Sequence, residues 1–310
     1  MKQLYLILLS VALMSLTVRA QENMSEVPLA DPYILLDNGV YYAYGTHDGD
    51  GIRCYSSVDL VNWQDEGQAL NNANTTMEDY FWAPEVYYKN GHYIMYFSGR
   101  VHLCVAVADS PKGPFKQVGG YQMEKLIGDE KCIDSHLFID DNGRAYVFFV
   151  RFTDGNCIWM AELEDDYITP KEGTLRFCFA VSQEWESKLY KVDEGPFMLK
   201  VGKKYFLTFS GNGYESQDYG VGFATTKDLD KGEWVKDASN PFLCRIEGLV
   251  GTGHHSFFYD KDGKLRIVFH AHESTEKIGT RMMYIGTVKA SSSRLTMAKD
   301  PIIRPKLIAK

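Results

Sequence analysis

Three carboxylates in this chain occupy costly positions. Asp31 in "ADP", Asp134 in "IDSHLF" and Glu194 in "DEGPF" each open a short apolar stretch that reads as a buried strand. Burial disfavours the charged form of a carboxyl group, and like charges brought together raise each other's pKa further. Acids held in such settings do proton-transfer chemistry: one stays protonated to donate, another stays ionised to accept. The three are far apart in sequence, so only a particular fold can bring them together. Asp193, beside Glu194, is the weaker candidate, because strand alternation sends it to the opposite side.

The fold follows from an internal repeat. "DPYILLDNGVYYAYGT" from Asp31, "APEVYYKNGHYIMYFSG" from Ala83 and "DSHLFIDDNGRAYVFFV" from Asp134 share one pattern. "EGPFMLKVGKKYFLTFSG" from Glu194 and "HHSFFYDKDGKLRIVFHAH" from His254 continue it. Each has an opening residue, an apolar strand, a tight turn with glycine, and an aromatic or β-branched second strand. The turn glycines are Gly39, Gly91, Gly143, Gly202 and Gly263, spaced 52, 52, 59 and 61 residues apart. Asn-Gly and Asp-Gly between apolar runs are strong hairpin signals, because these residues tolerate positive φ. A third strand follows in most copies, such as "HLCVAVADS", and short outer strands such as "LVNWQDEG" and "KGEWVKD" close several of them. Five units of four strands predict an all-β fold, a five-bladed β-propeller. In a propeller the innermost strand of each blade lines a central channel. The opening residues Asp31, Ala83 or Glu85, Asp134, Glu194, and His254 or His255 should therefore gather at one end of it.

Carboxylates set apart across a pocket, with pKa values pushed in opposite directions, are what glycosidic bond cleavage requires. The chain also carries 20 Tyr and 17 Phe, whose faces suit both sheet packing and the stacking of neutral sugar rings. The first twenty residues, "MKQLYLILLSVALMSLTVRA", have a basic start, an apolar run and a small-residue ending, which predicts a secretory signal peptide over 1–20. Residues 21–310 then form a single propeller, exported to the periplasm or outside the cell. Loss of Lys2 and Arg19 takes the formal charge from −8 to −10, which argues against nucleic acid or an anionic membrane as partner. The six cysteines are widely spaced without a Cys-x-x-Cys pair, and three of them recur at similar places in the repeat. They read as buried free thiols rather than a disulfide framework.

At these residues the chain resembles glycoside hydrolase family 43. The likeness runs from "LADPYILLDNGVYYAYGT" to "RMMYIGTVK" and includes "WAPE", "IDSHLFIDDNG", "DEGPF" and "GTGHHSF" in order. The resemblance implies an inverting mechanism, with Asp31 as general base, Glu194 as general acid, and Asp134 orienting Glu194 and tuning its pKa. An inverting enzyme places its acid and base roughly 6.5–9.5 Å apart. Trp82, His136 and Arg281 are expected to contact substrate. No cofactor is required, although His254 resembles a histidine that approaches a channel metal, often calcium, mainly through water.

The implied activity is removal of terminal α-L-arabinofuranose or β-D-xylose from plant-type polysaccharide or oligosaccharide. The alternatives are an exo-galactanase or endo-arabinanase of the same fold, a propeller glycoside phosphorylase, and a non-catalytic carbohydrate-binding propeller. Many members carry a further β-sandwich. The final "SSSRLTMAKDPIIRPKLIAK" cannot make one and is expected to close the ring or lie along its edge.

Overall fold

The computed structural model describes residues 25–46, 49–276 and 278–308. The signal peptide expected over 1–20 lies outside the described residues. Blade 1 is β1 (Ala30–Asp37), β2 (Val40–Thr46), β3 (Gly51–Ser57) and β4 (Asn62–Asn71). Blade 2 is β5 (Phe81–Lys89), β6 (His92–Gly99), β7 (His102–Ala108) and β8 (Lys116–Gln117). Blade 3 is β9 (Cys132–Ile139), β10 (Ala145–Arg151), β11 (Cys157–Leu163) and β12 (Arg176–Phe179). Blade 4 is β13 (Asp193–Val201), β14 (Lys204–Gly211), β15 (Gly220–Thr226) and β16 (Val235–Lys236). Blade 5 is β17 (Gly253–Tyr259), β18 (Leu265–His272), β19 (Arg281–Ala290) and β20 (Leu295–Met297), and β21 (Lys306–Leu307) follows.

Each blade is an antiparallel meander, with its strands ordered from the channel outward as in the sequence. The innermost strands β1, β5, β9, β13 and β17 contact one another in a closed ring, so the five-bladed propeller read from the repeats is the fold. The hairpins have the expected turn chemistry. Asn38 and Gly39 both take positive φ, 46° and 78°, the twist that a two-residue hairpin needs.

Much of the aromatic content is spent between blades. Tyr33 of blade 1 meets Tyr87 of blade 2 with ring centroids 5.6 Å apart. Phe179 and Phe209 join blades 3 and 4 at 5.0 Å, Phe197 and Phe257 join blades 4 and 5 at 5.5 Å, and Tyr41 and Phe258 join blades 5 and 1 at 6.0 Å. Pairs of this kind stabilise by about 0.5–1.5 kcal/mol beyond the area they bury. All six cysteines are free thiols, with Cys54, Cys104 and Cys157 buried on the third strands of blades 1 to 3.

Both ends of the described chain close the ring. β21 adds in parallel to the outer edge of β4, with Lys306 beside Asn62 and Leu307 beside Trp63. Just before it, Ile303 bridges to Ile285 of blade 5. The segment around Val27 lies between, giving its carbonyl to Met283 N–H and its N–H to Pro305 O. The tail is thus a strap from blade 5 to blade 1, the first of the two placements expected of it. Six backbone hydrogen bonds of residues 303–308 cross this seam. Deletion from Ile303 onward should cost about 3 kcal/mol or more. Chemical denaturation would register this, and an unchanged midpoint would show that the ring closes without the strap.

Candidate active site

One local device shapes the top of every innermost strand. The pairing register slips between Ala30 and Tyr33, Trp82 and Glu85, Glu194 and Phe197, and Gly253 and Ser256, and β9 slips against β10 between Ile133 and His136. Inside each slip one residue is left-handed: Asp31 (φ 49°), Ala83 (43°), Asp134 (58°), Gly195 (54°) and His254 (42°). Such a bulge bends the strand and re-aims its side chains. Asp31 and Asp134 hold the same position in the repeat. Glu194 stands one position earlier, level with Ala30, Trp82, Ile133 and Gly253. The expectation that all three acids sit at equivalent positions is therefore corrected. Strand alternation is interrupted at the bulge, so residues at both positions face the channel mouth.

The bulge leaves a backbone N–H that the blade cannot satisfy. The second strand of the preceding blade takes it. Ala83 N–H donates to Thr46 Oγ1 (3.0 Å), Asp134 N–H to Ser98 Oγ (3.0 Å), His254 N–H to Ser210 Oγ (2.8 Å) and Asp31 N–H to His270 Nδ1 (3.1 Å). In blade 3 the corresponding residue is Val150, which has no acceptor. The N–H of Gly195 donates instead to Asp134 Oδ2 at 3.2 Å. The gap at Val150 thus ties the Asp134 carboxylate to the backbone beside Glu194.

The acids meet in a pocket of about 380 Å³ lined by Asp31, Thr46, Tyr80, Trp82, Ile133, Asp134, Glu194, Tyr214, His254 and Arg281. Burial alone would push Asp31 up. Its Oδ1, however, accepts from Arg281 Nη1 at 2.7 Å, and its Oδ2 accepts from the Thr46 hydroxyl. The net result is a carboxyl held well below the usual range, so Asp31 stays ionised. Arg281 is the largest of the influences that lower it. The nearby His254 and His270 are both driven toward neutrality by burial, and His270 Nδ1 is already an acceptor.

Glu194 has the opposite environment. Burial, opposed by hydrogen bonds and reinforced by repulsion from Asp31, pushes it up to about 7. Its partners are neutral donors: Tyr219 O–H to Oε1 at 2.8 Å and Asn156 Nδ2 to Oε2 at 2.9 Å. Asp134 is also pushed up, by burial and then by Glu194 and Asp31, so the three acids cannot all be ionised at neutral pH.

Of the residues expected to touch substrate, two line the pocket. Trp82 packs against Tyr80 with centroids 5.4 Å apart. Arg281 lies over the Tyr214 ring at 4.5 Å and pairs with buried Asp31, not with a surface acid. His136 does not line it. It lies two residues past the bulge, buried below the pocket floor, with Nδ1 3.0 Å from Glu85 Oε2 and its ring 4.0 Å from Phe197. The register slip carries it away from the face that Asp134 presents.

His254 lines the pocket as well, with Nδ1 3.4 Å from Asp31 Oδ1. Below it on the axis is a cavity of about 10 Å³, lined by Glu85, Ser135, His255 and Ser256 among others. That is room for about one water molecule. Among the described residues no cluster of three or more His, Cys, Asp or Glu is arranged to hold a metal. Calcium takes six to eight oxygens, directly or through water. The Ser135 hydroxyl and His255 Nδ1 are lining atoms without partners, and neither makes such an oxygen set by itself, so any ion here would be held through water.

Besides Thr46, three residues that hold the acids were not among the expected ones. Asn156 stands just before β11 and Tyr219 just before β15; neither position shows a pattern in the sequence. His270, a histidine inside the apolar run "IVFHAH", carried a visible signal. The Tyr219 ring stacks on His270 at 5.6 Å, linking the surroundings of Asp31 to those of Glu194. It needs Gly253 beside it: a Cβ there would lie 2.2 Å from Tyr219 Cε1. Because the Tyr219 hydroxyl favours ionised Glu194, Tyr219→Phe should raise the Glu194 pKa above its value of about 7. Titration of ¹³C-labelled Glu carboxyls would report it, and an unmoved or lowered value would count against this hydrogen bond.

Comparison with known proteins identifies the family. The profile described as "Glycosyl hydrolases family 43" matches residues 24–293. An extracellular exo-α-(1→5)-L-arabinofuranosidase of Cellvibrio japonicus is 26% identical over 81% of this chain and 81% of its own. A β-D-galactofuranosidase of Aspergillus niger is 28% identical, covering 78% of this chain and 73% of its own. The crystal structure of an endo-1,4-β-xylanase from Bacteroides thetaiotaomicron superimposes with a TM-score of 0.86 at 42% identity, covering 93% of this chain and 99% of the other. With a bladed ring, an acid-lined channel mouth and a family match over most of its length, the chain belongs to glycoside hydrolase family 43.

Proposed function

We propose that the protein is an exported, exo-acting pentosidase, with residues 21–310 as its single catalytic domain. It removes a terminal α-L-arabinofuranose, or a β-D-xylose, from plant-type polysaccharide or oligosaccharide with inversion. The observation that carries this reading is the opposite tuning of two carboxyls in one pocket. Asp31 is held ionised by Arg281, and Glu194 is held protonated up to about pH 7 by burial. Export is supported by the relatives named as extracellular, and the pentose by those named for arabinofuranose and xylan.

In the proposed step a water molecule attacks the anomeric carbon while its proton passes to Asp31. The glycosidic C–O bond breaks, and the leaving oxygen takes the proton of Glu194. Asp31 ends protonated and Glu194 ionised, and exchange with solvent resets both. Asp134, fixed by the Gly195 N–H, and Glu194 each disfavour the other's ionisation, so the pair retains a proton that Glu194 delivers in this step. Trp82 and Tyr80 offer a wall for a sugar ring, and Arg281 donors reach sugar hydroxyls beside Asp31.

A panel of nitrophenyl α-L-arabinofuranoside, β-D-xyloside and β-D-galactoside, with arabinan, arabinoxylan and xylan, tests the substrate. Release of monomeric arabinose or xylose is expected, with NMR showing the inverted anomer first. Activity should persist down to the acidic range in which Asp31 finally protonates, and fall as pH rises through about 7, where Glu194 loses its proton. Glu194→Gln should lower kcat roughly 10²–10⁴-fold. Wild-type turnover in that variant, or retained anomeric configuration, contradicts the mechanism. Internal cleavage of polymer with no monomer release contradicts the exo reading.

A further inference from the structure

Directly behind Glu194 lies a second charged cluster that the proton transfer does not use. Asp193, Glu186 and Lys236 are almost completely buried, their side chains 0%, 0% and 7% exposed. Lys236, at the end of β16, points inward between two rings, with Nζ 5.0 Å from the centroid of Phe179 and 4.7 Å from that of Phe209. It donates to Glu186 Oε2 and Asp193 Oδ2, each at 2.7 Å, and to Ala180 O at 2.9 Å. Glu186 Oε2 also takes the N–H groups of Ser182 and Gln183 at 2.7 and 2.9 Å. Its Oε1, and Oδ1 of Asp193, have no partner.

Two carboxylates therefore share one ammonium in a buried compartment, leaving one surplus negative charge when both are ionised. Glu186 is well supplied with donors, so the surplus falls on Asp193. That residue is joined to Glu194 by one peptide bond, and its own N–H is tied to Asn156 O at 3.1 Å, on the residue whose side chain holds Glu194. A buried pair tying three segments together needs only one carboxylate per lysine. The second has a use where a neighbouring acid must keep its proton.

We propose that Asp193, set by Lys236 and Glu186, is a positioning residue for the acid: its charge, one residue away on the opposite side of the strand, raises the pH to which Glu194 stays protonated. This rests on the reading of Glu194 as general acid. The groups facing the pair are Lys236 and Glu186 on the Asp193 side. On the Glu194 side they are Asp31, Asp134, Arg281, Tyr219 and the neutral His254 and His270. Burial, opposed by Lys236 and reinforced by Glu186 and Glu194, pushes Asp193 up to about 7, the same range as Glu194. The two therefore titrate as a coupled pair.

The test is the pH profile of kcat/KM on a chromogenic pentoside. Asp193→Asn and Glu186→Gln each remove the surplus charge, by different routes. Each should move the alkaline limb down by about one pH unit. Lys236→Met removes the cation instead and should not lower the limb. If the cluster only braces the fold, all three variants lose melting temperature and the limb stays where it is in the folded protein, which overturns the proposal. A downward shift in Lys236→Met alone overturns it too. Should one carboxylate variant fail to fold, the other reads the same charge. Glu194→Gln separates the two levels. If it abolishes turnover while the limb ignores Asp193 and Glu186, only this inference fails. If it leaves turnover intact, the reading of the site fails with it.

Discussion

A left-handed residue at the head of each innermost strand, with its backbone N–H captured by the preceding blade, is the constraint on which the site depends. A non-glycine residue in this conformation costs roughly 1–2 kcal/mol, and a buried N–H without a partner costs about 1–3 kcal/mol more. Four of the five positions are not glycine, so the strain is carried by Asp31, Ala83, Asp134 and His254. The captured N–H groups offset part of it and also link the blades in sequence around the ring. Thr46 does both jobs in one side chain, accepting from Ala83 and donating to Asp31. The geometry of the acids is thereby set by the closure of the whole propeller, and the strap of residues 303–308 contributes to a site it does not touch.

Within that frame the chemistry is a division of partners. Arg281, from blade 5, supplies a full positive charge to Asp31 at 2.7 Å. Blades 3 and 4 supply Glu194 with an amide and a phenol, which orient it without paying the full cost of its charge in a buried setting. Asp134 lies between, and its carboxylate takes the one bulge N–H that no second-strand side chain of the preceding blade accepts. Polar side chains at Thr46, Ser98, Ser210 and His270, against the apolar Val150, are thus a five-fold pattern broken at one place. The break adjoins the acid pair.

The architecture was readable in the sequence because hairpins leave local marks: Asn38-Gly39 and Asn90-Gly91 between apolar runs report their own turns. Convergence of Asp31, Asp134 and Glu194 followed from the repeat alone. The register slip left no such mark, since a bulge changes pairing without changing composition. For that reason Glu194 was placed level with the other acids, and His136 was expected in the pocket rather than beneath it against Glu85. Asn156 and Tyr219 reach Glu194 from loops whose positions only the assembled blades define. The apolar neighbourhood of "DEGPF" was visible, whereas the lysine that crosses it from β16 was not, because Lys236 reads as an ordinary polar residue on a short outer strand.

One fold here holds two carboxyls of the same pocket in opposite protonation states. Neutron diffraction from crystals equilibrated near pD 6 would observe those protons directly. Deuterium is expected on Glu194 and none on Asp31. A deuteron on Asp31, or a bare Glu194 at that pD, would contradict this division of protonation states.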